Sequence, residues 1–365
     1  MVETTGKRKA EHIRICLEKK AQARKATTGF EDIQLVHRAL PEIEKEKISL
    51  STSFLGKKFS APIIVGAMTG GTEEAIKINA SIAEAVENLH LGMGLGSQRA
   101  AIQDKKLEKT YSIARKKAPT AFLIANIGGV QLVEGYNLKE VKKAMEMIEA
   151  DALAIHLNAL QEALQPEGQT NFKGVLAKIA EIAGELDKPV IVKETGCGIS
   201  GEDTKALEDA GVKAIDVGGV GGTSFAAVEY YRSSQKEMAE LFWDWGIPTA
   251  VSLVEATQTV KIPVIASGGV RNGLDIAKSL ALNAKLSSVC QPALETAVKG
   301  MKETQDLLSR LIAELKTVMF LVGAGNLEML AKVPLVISGK TSEWLNIRDF
   351  DTVSYAKRST LKFEY

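Results

Sequence analysis

The feature that most constrains this chain is a cadence. A short apolar run ends in glycine or a polar residue, a helical pattern follows, and the unit repeats. Pro62-Ile63-Ile64-Val65-Gly66 opens it and leads into Ala67-Met68-Thr69-Gly70-Gly71. Met93, Phe122, Leu153, Val190, Ile215, Val264 and Val289 mark seven further runs, spaced roughly 25–50 residues apart. A short apolar run bounded by turn residues reads as a buried strand. Strands alternating with helices predict a parallel sheet, and eight such units predict an α/β fold of the closed (β/α)8 barrel type. A doubly wound open sheet is the alternative. It would carry its glycine-rich phosphate turn after the first strand. Here the glycines crowd after the sixth and seventh runs, in Gly218-Gly219-Val220-Gly221-Gly222-Thr223 and Ser267-Gly268-Gly269-Val270-Arg271. Late glycines are where barrels build a phosphate site.

Barrel ligands bind where strands exit, so the chemistry of such a chain is expected at its exits. They carry Met68-Thr69, Ser97-Gln98-Arg99, Asn126, Lys193, Thr223 and Gly268-Gly269-Arg271. The densest is His156-Leu157-Asn158-Ala159-Leu160-Gln161-Glu162, which follows the apolar run Ala152-Leu153-Ala154-Ile155. Gln161 and Asn158 are amides, able to orient a substrate but not to act as acid or base. Glu162 is a hard oxygen ligand suited to Mg²⁺. A plain polar, helix-capping loop is the competing reading. Lys193 ends a Pro-Val-Ile-Val run; it serves as a salt-bridge partner, a Schiff-base amine or a cation against an electron-rich cofactor ring. Cys197 in its Gly-Cys-Gly loop has no identifiable base and reads as a bystander thiol.

Residues 1–25 are basic, with Lys7, Arg8, Lys9, Arg14, Lys19, Lys20, Arg24 and Lys25 against Glu3, Glu11 and Glu18. Ile13 and Leu17 at helical spacing predict an amphipathic helix over 9–25. Arg8, Lys9 and His12 fall on one side of its first turns, either as a solvated face or as an anion site. A second long helix is predicted over 295–322, and a loop at 230–236 within a helical connection. Thr249–Ser252 either closes a helix or starts one. The whole chain has 365 residues and formal net charge +1, which makes no case for nucleic-acid binding. Three scattered cysteines argue against a disulfide framework or a zinc knuckle. No apolar run approaches a membrane span, so a cytoplasmic enzyme is the expectation.

Arg8-Lys9-Ala10-Glu11-His12, Thr27-Thr28-Gly29-Phe30, Ala67-Met68-Thr69-Gly70-Gly71, Gly96-Ser97-Gln98-Arg99, the 156–162 stretch and Gly221-Gly222-Thr223-Ser224 together closely resemble the type 2 isopentenyl-diphosphate isomerases, in particular the archaeal branch. The resemblance runs from about residue 7 to about 340. It implies an FMN-dependent barrel over 61–340, an N-terminal helical extension over 1–60 that reaches the substrate, and a C-terminal tail over 341–365. It implies interconversion of isopentenyl and dimethylallyl diphosphate, with Mg²⁺ required and NAD(P)H reducing the flavin. FMN would be held by Ala67, Met68, Thr69, Ser97, Asn126, Lys193, Thr223, Gly269, Val270, Arg271, Cys290 and Gln291. Arg8, Lys9, His12, Ser97, Gln98 and Arg99 would receive the diphosphate. Gln161, with His156, Asn158 and Lys193, would serve the reacting end, and Glu162 would bind Mg²⁺. The reduced flavin would act as acid and base. A homo-oligomer, tetramer or octamer, is the expected assembly. An FMN-dependent oxidoreductase with His156 as base, or a non-catalytic flavin or diphosphate binder, are the competing functions.

The chain departs from the family pattern over Asn283–Pro292. Ser288 and Cys290 stand where glycine and alanine are usual, and Gln291 replaces an apolar residue. Buried without partners, such polar groups cost about 1–3 kcal/mol each, so partners exist or the strand is destabilised. Asn283 tolerates a left-handed conformation.

Overall fold

The structure, a computed structural model, describes residues 2–233 and 236–359, with side chains from Arg8 onward. Ser234 and Gln235 of the predicted 230–236 loop, the Lys7 side chain and the last residues of the tail lie outside the described residues. Eight parallel strands close into a barrel: β1 (Ile63–Val65), β2 (Gly92–Gly94), β3 (Phe122–Gly128), β4 (Ala152–Leu157), β5 (Val190–Glu194), β6 (Ala214–Asp216), β7 (Val264–Ala266) and β8 (Leu286–Val289). Each neighbours the next in sequence, and β8 pairs with β1. Every predicted strand marker lies within one of them.

The strand pleat sorts the apolar residues into two cores, because successive side chains point to opposite faces. Ile64, Phe122, Ile124, Ala154, Ile191, Ile265 and Leu286 fill the barrel. Their neighbours Ile63, Val65, Leu123, Leu153, Val190, Val192, Val264 and Val289 pack outward against the helices. Burial on both faces is why these runs are continuously apolar. A hairpin, Thr52–Phe54 with Lys57–Phe59, turns through Leu55 (φ 45°) and Gly56 (φ 84°). Two positive φ values in a two-residue turn match the right-handed twist of paired strands. The hairpin brings Phe54 and Phe59 onto Phe122, at the start of β3, with each ring centroid 5.7 Å from that of Phe122. Those rings plug the N-terminal end of the barrel, leaving the strand exits open.

The helical predictions need three corrections. The N-terminal helix, α1, spans Val2–Glu18 rather than 9–25. It stops because the next residues turn toward the barrel: Ala21 is buried and Gln22 bridges to Thr223. The long helix predicted over 295–322 is two, Gln291–Ala297 and Met301–Leu321, broken at Gly300 with φ 151°. The predicted 230–236 loop is shorter, since Phe225–Arg232 is helical. Thr249 starts a helix, Thr249–Thr259. The N-terminal extension and the C-terminal region meet outside the barrel, where Ile33–Leu35 pairs antiparallel with Leu335–Ile337. Among the described residues no helix is long and apolar enough to cross a membrane.

Candidate active site

The open end of the barrel holds a cavity of about 260 Å³ roofed by α1, with Arg8, Lys9, His12, Ile13 and Cys16 in its lining. Parallel register sets its floor. Gly128, His156, Lys193 and Asp216 fall in one row across β3, β4, β5 and β6. Asn126 donates its amide Nδ2 to Leu95 O (3.0 Å), so its oxygen faces His156 Nδ1 at 2.8 Å. That network assigns the ring proton to Nδ1. Burial, with Lys193 and Lys9 as further causes, lowers the His156 pKa to about 3. The imidazole is therefore neutral and a weak base.

Lys193 Nζ donates to Glu194 O (2.6 Å). Burial raises the Asp216 pKa, opposed by Lys193 and by the Ser267 hydroxyl that donates to its Oδ1. Glu194, absent from the sequence-based site, also lines the cavity. Its Oε2 accepts from the N–H groups of Thr195 (2.6 Å), Gly196 (2.5 Å) and Cys197 (2.5 Å). Burial pushes its pKa up to about 7 against those three donors. The Cys197 thiol is pushed up by burial and by Glu194, which agrees with its reading as a bystander.

Beyond β4 the chain enters a short helix, α2 (Ala159–Leu164). Asn158 Nδ2 reaches both Gln161 Oε1 and Glu162 Oε1 at 3.0 Å. Glu162 Oε2 accepts from Gln165 Nε2 (2.6 Å) and Gln169 N–H (2.7 Å). Glu162 is 6% exposed, yet its donors are all uncharged. A buried carboxylate in that state leaves its charge for a cation to neutralise. Among the described residues no cluster of three or more acidic, His or Cys side chains could hold a metal. A divalent cation here would have Glu162 and the oxygens of its ligand, the usual arrangement for Mg²⁺.

Cations converge on the same space. Lys9 Nζ donates to Ser97 O (2.5 Å) and Tyr111 Oη (2.6 Å), and burial lowers its pKa to about 7. Arg8 Nη1 lies 3.4 Å from Gln165 Oε1 and 3.8 Å from Glu167 Oε1. Arg99 Nη1 donates to Gln169 Oε1 (3.1 Å), while its Nε has no partner. His12 Nε2 is 3.1 Å from Oε1 of the buried Glu229 on α3 (Phe225–Arg232). Arg232 joins that carboxylate to Glu167 and Glu11. Burial lowers the His12 pKa, so its contact is a hydrogen bond; with the Arg232–Glu11 and Arg8–Glu167 ion pairs it pins α1 over the barrel.

The opposite wall is built of backbone. A Cβ on Gly222 would sit 2.5 Å from Gly269 N, and one on Gly269 2.6 Å from Gly221 O. Gly269 also has φ 76°. Glycine is what lets the β6 and β7 exit loops touch. Thr223, Gly269, Val270, Arg271, Cys290 and Gln291 all line this side. Arg271 Nη2 donates to Gln22 Oε1 (2.7 Å) and Gln291 Oε1 (2.9 Å). Ala67, Met68, Thr69, Ser97 and Asn126 complete the lining toward β1–β3. Buried Oγ atoms of Thr69 and Ser288 have no hydrogen-bond partner. Backbone-lined glycine turns with a guanidinium suit a phosphate, and the orphaned hydroxyls suit a polyol. The residues present therefore fit FMN.

Two expectations change. Gln98 does not reach the cavity. It is fully buried, accepting from Asn126 N–H (2.9 Å) and donating to Ala144 O (2.7 Å). It braces Asn126 instead of meeting an anion. The atypical Asn283–Pro292 stretch is largely partnered. Ser287 shares a hydrogen bond with Ser279, Gln291 sits at a helix start with Arg271 and Glu295 as partners, and Asn283 takes φ 71°. Ser288 is the exception: the Cys290 thiol lies against it, and a thiol is a weak partner.

The profile described as FMN-dependent dehydrogenase matches residues 3–124 and 130–336. The isopentenyl-diphosphate delta-isomerase of Methanothermobacter thermautotrophicus is 50% identical over 352 residues, covering 96% of this chain and 99% of that protein. That of Methanosarcina barkeri is 48% identical, covering 98% of each. The chain belongs to the isopentenyl-diphosphate delta-isomerase family. Among solved structures, a lactate oxidase of Pediococcus acidilactici (TM-score 0.60, 18% identity, 93% of this chain and 94% of that one) and a mandelate oxidase (TM-score 0.61, 16% identity, 91% and 99%) share the fold of this family member. At that identity they speak for the barrel alone.

Proposed function

We propose that the chain interconverts isopentenyl diphosphate and dimethylallyl diphosphate, with FMN, Mg²⁺ and NAD(P)H as flavin reductant. The observation that carries this is the pairing of an anion-binding cluster with an exit furnished with amides, a neutral imidazole and one carboxylate placed for a cation. Arg8, Lys9 and Arg99 line one cavity with Gln161 and Glu162, and burial lowers the His156 pKa to about 3. Bound and reduced, FMN would supply the proton donor and acceptor that the amides and the neutral imidazole of this exit do not.

The chain's own residues do the rest. Arg8, Lys9, Arg99 and His12 bind the diphosphate, and Glu162 shares Mg²⁺ with its oxygens. Gln161 and Asn158 orient the alkene end without exchanging protons with it. Lys193 would supply positive charge beside the cofactor, and the Gly222–Gly269 turns with Arg271 and Gln291 would hold its phosphate. The ion pairs between α1 and α3 exclude water, which strengthens every charge inside. The helical extension over 1–60, the barrel over 61–340 and the tail over 341–365 act in a cytoplasmic homo-oligomer, a tetramer or an octamer.

Anaerobic incubation of the flavin-loaded protein with isopentenyl diphosphate, Mg²⁺ and NADPH should yield dimethylallyl diphosphate with catalytic, not stoichiometric, NADPH use. Folded, loaded protein that forms none would sink the reading. NADPH consumed mole for mole with an oxidised product would favour an oxidoreductase, and binding without turnover a passive binder. Arg8→Ala should raise KM by roughly tenfold and leave kcat nearly unchanged, because a contact remote from the double bond serves ground and transition states alike.

A further inference from the structure

Glu162 and the two arginines approach the cavity from different elements, and one loop touches all three. Gln165 donates its Nε2 to Glu162 Oε2 (2.6 Å) and presents its Oε1 to Arg8 Nη1 (3.4 Å). Gln169 donates its N–H to the same Glu162 oxygen (2.7 Å) and accepts from Arg99 Nη1 (3.1 Å) and Gln131 Nε2 (3.3 Å) through its side chain. The loop can fold back this far because residue 168 is glycine: a Cβ there would lie 1.8 Å from Glu162 O. Gly168 N–H donates to Gln165 O (3.0 Å), closing the turn. Two orphaned polar atoms, Asn158 Oδ1 and Arg99 Nε, are buried beside this arrangement, and both residues line the cavity.

Each glutamine thus bonds one negative and one positive group, Gln165 through both ends of its side-chain amide and Gln169 through its backbone N–H and its side-chain oxygen. An amide is suited to this, since it carries both functions and no charge. Removing either would let an arginine swing toward Glu162 and form a direct ion pair, which would compete with both the cation and the diphosphate.

Resting on the isomerase reading for the identity of the ligand, we propose that Gln165 and Gln169 are positioning residues. They hold the Glu162 carboxylate apart from, and in register with, Arg8 and Arg99, so that a cation–diphosphate unit can enter between them. The two residues need not touch the substrate. They act through the groups that do.

The test uses the flavin-loaded full chain with inorganic pyrophosphate and Mg²⁺ as probes, read by calorimetry. Gln169→Ala keeps the N–H to Glu162 and removes the Arg99 acceptor; Gln165→Ala removes a bond to each side. Partners behind a metal ligand are worth roughly 10- to 100-fold in affinity. Gln165→Ala should therefore weaken Mg²⁺ binding at saturating pyrophosphate by about that factor, with FMN affinity unchanged within roughly twofold. Gln169→Ala should weaken pyrophosphate by roughly tenfold and raise KM for isopentenyl diphosphate more than it lowers kcat. Arg99→Ala should cost less in the Gln169→Ala background than in the wild type, because the pair acts as a unit. Additive losses in that cycle, or Mg²⁺ and pyrophosphate affinities unmoved in both variants, would overturn the proposal. If Gln165→Ala does not fold, the Gln169→Ala and Arg99→Ala cycle decides alone. Coupled losses in a wild type that binds both probes but makes no dimethylallyl diphosphate would support the positioning role and defeat the isomerase reading. A wild type that turns over normally while the cycle is additive would do the reverse.

Discussion

The two halves of the cavity are built on different physical plans. On the β6–β8 side, Gly222, Gly268 and Gly269 bring backbone to the surface, and a single cation, Arg271, is tied to two amides. On the β4–α1 side, side chains dominate: Glu162, Gln165, Gln169, Arg8 and Arg99 form a chain of charge and amide contacts, with backbone in a supporting role. A backbone cradle is rigid and indifferent to pH, which suits a resident cofactor. A side-chain cradle can release its internal bonds when a ligand offers better ones, which suits a substrate that must come and go.

The largest expected effect lies in the side-chain half. Glu162→Gln keeps the shape and removes the charge that a divalent cation needs. It should lower kcat/KM on the order of a hundredfold or more and abolish the Mg²⁺ dependence. A Mg²⁺ titration of dimethylallyl diphosphate formation checks this, and an unchanged titration would remove Glu162 from the site. The matching change in the backbone half is Gly222→Ala. Its methyl would meet Gly269 N at 2.5 Å. Overpacking of that kind costs about 1–3 kcal/mol, or roughly 5- to 150-fold in FMN affinity. Flavin fluorescence quenching measures it. FMN binding as tight as in the wild type would show that the two loops separate freely, and the contrast in rigidity would fall.

How much of each half was legible in the sequence follows from the same difference. Short continuous apolar runs and late glycine pairs are local signals, so the barrel, all eight strand positions and the phosphate side could be read from spacing. Gln98 could not. Between Ser97 and Arg99 it shares a motif with cavity residues, but its side chain turns to Asn126 N–H and Ala144 O, and direction is not written in adjacency. Glu194 carries no motif of its own beside Lys193. Its carboxylate collects three N–H groups of the following loop. Tyr111 and Gln165 act on Lys9 and Arg8 from 102 and 157 residues away, and nothing local announces such pairs. The break in the long helix had a local sign, Gly300, outweighed by the continuous apolar spacing on either side.

Lys9 sharpens the contrast through pH. Its pKa in the folded protein, about 7, lies below its ordinary 10.5 because burial disfavours the charge. Between those values the unfolded chain holds more protons, so stability of the ligand-free protein rises with pH across that window. Diphosphate binding runs the other way. A bound anion restores the charged ammonium, so above pH 7 binding takes up a proton. Affinity for isopentenyl diphosphate should fall with rising pH, by at most about tenfold per unit. The difference between the wild-type and Lys9→Met profiles isolates this contribution, and parallel profiles would deny it. FMN affinity should show no such Lys9-dependent slope.

The smallest effect belongs to Ser288, a buried side chain of the backbone half left without an ordinary partner. Its hydroxyl is 1% exposed and unpaired, and Gly66 opposite leaves it room, since a Cβ there would lie 2.6 Å from Ser288 Oγ and 2.4 Å from Cys290 Sγ. An unsatisfied buried hydroxyl costs about 1–3 kcal/mol. Ser288→Ala should therefore raise the Tm of FMN-free protein by about 1–4 °C for a chain of this length. With FMN bound the gain should shrink or reverse, because the hydroxyl faces the cavity that the cofactor fills and a polyol phosphate offers it oxygen partners. Differential scanning calorimetry with and without FMN separates the two cases. An equal gain in both would mean that Ser288 contributes nothing to the cofactor, and that this wall relies on main-chain groups throughout.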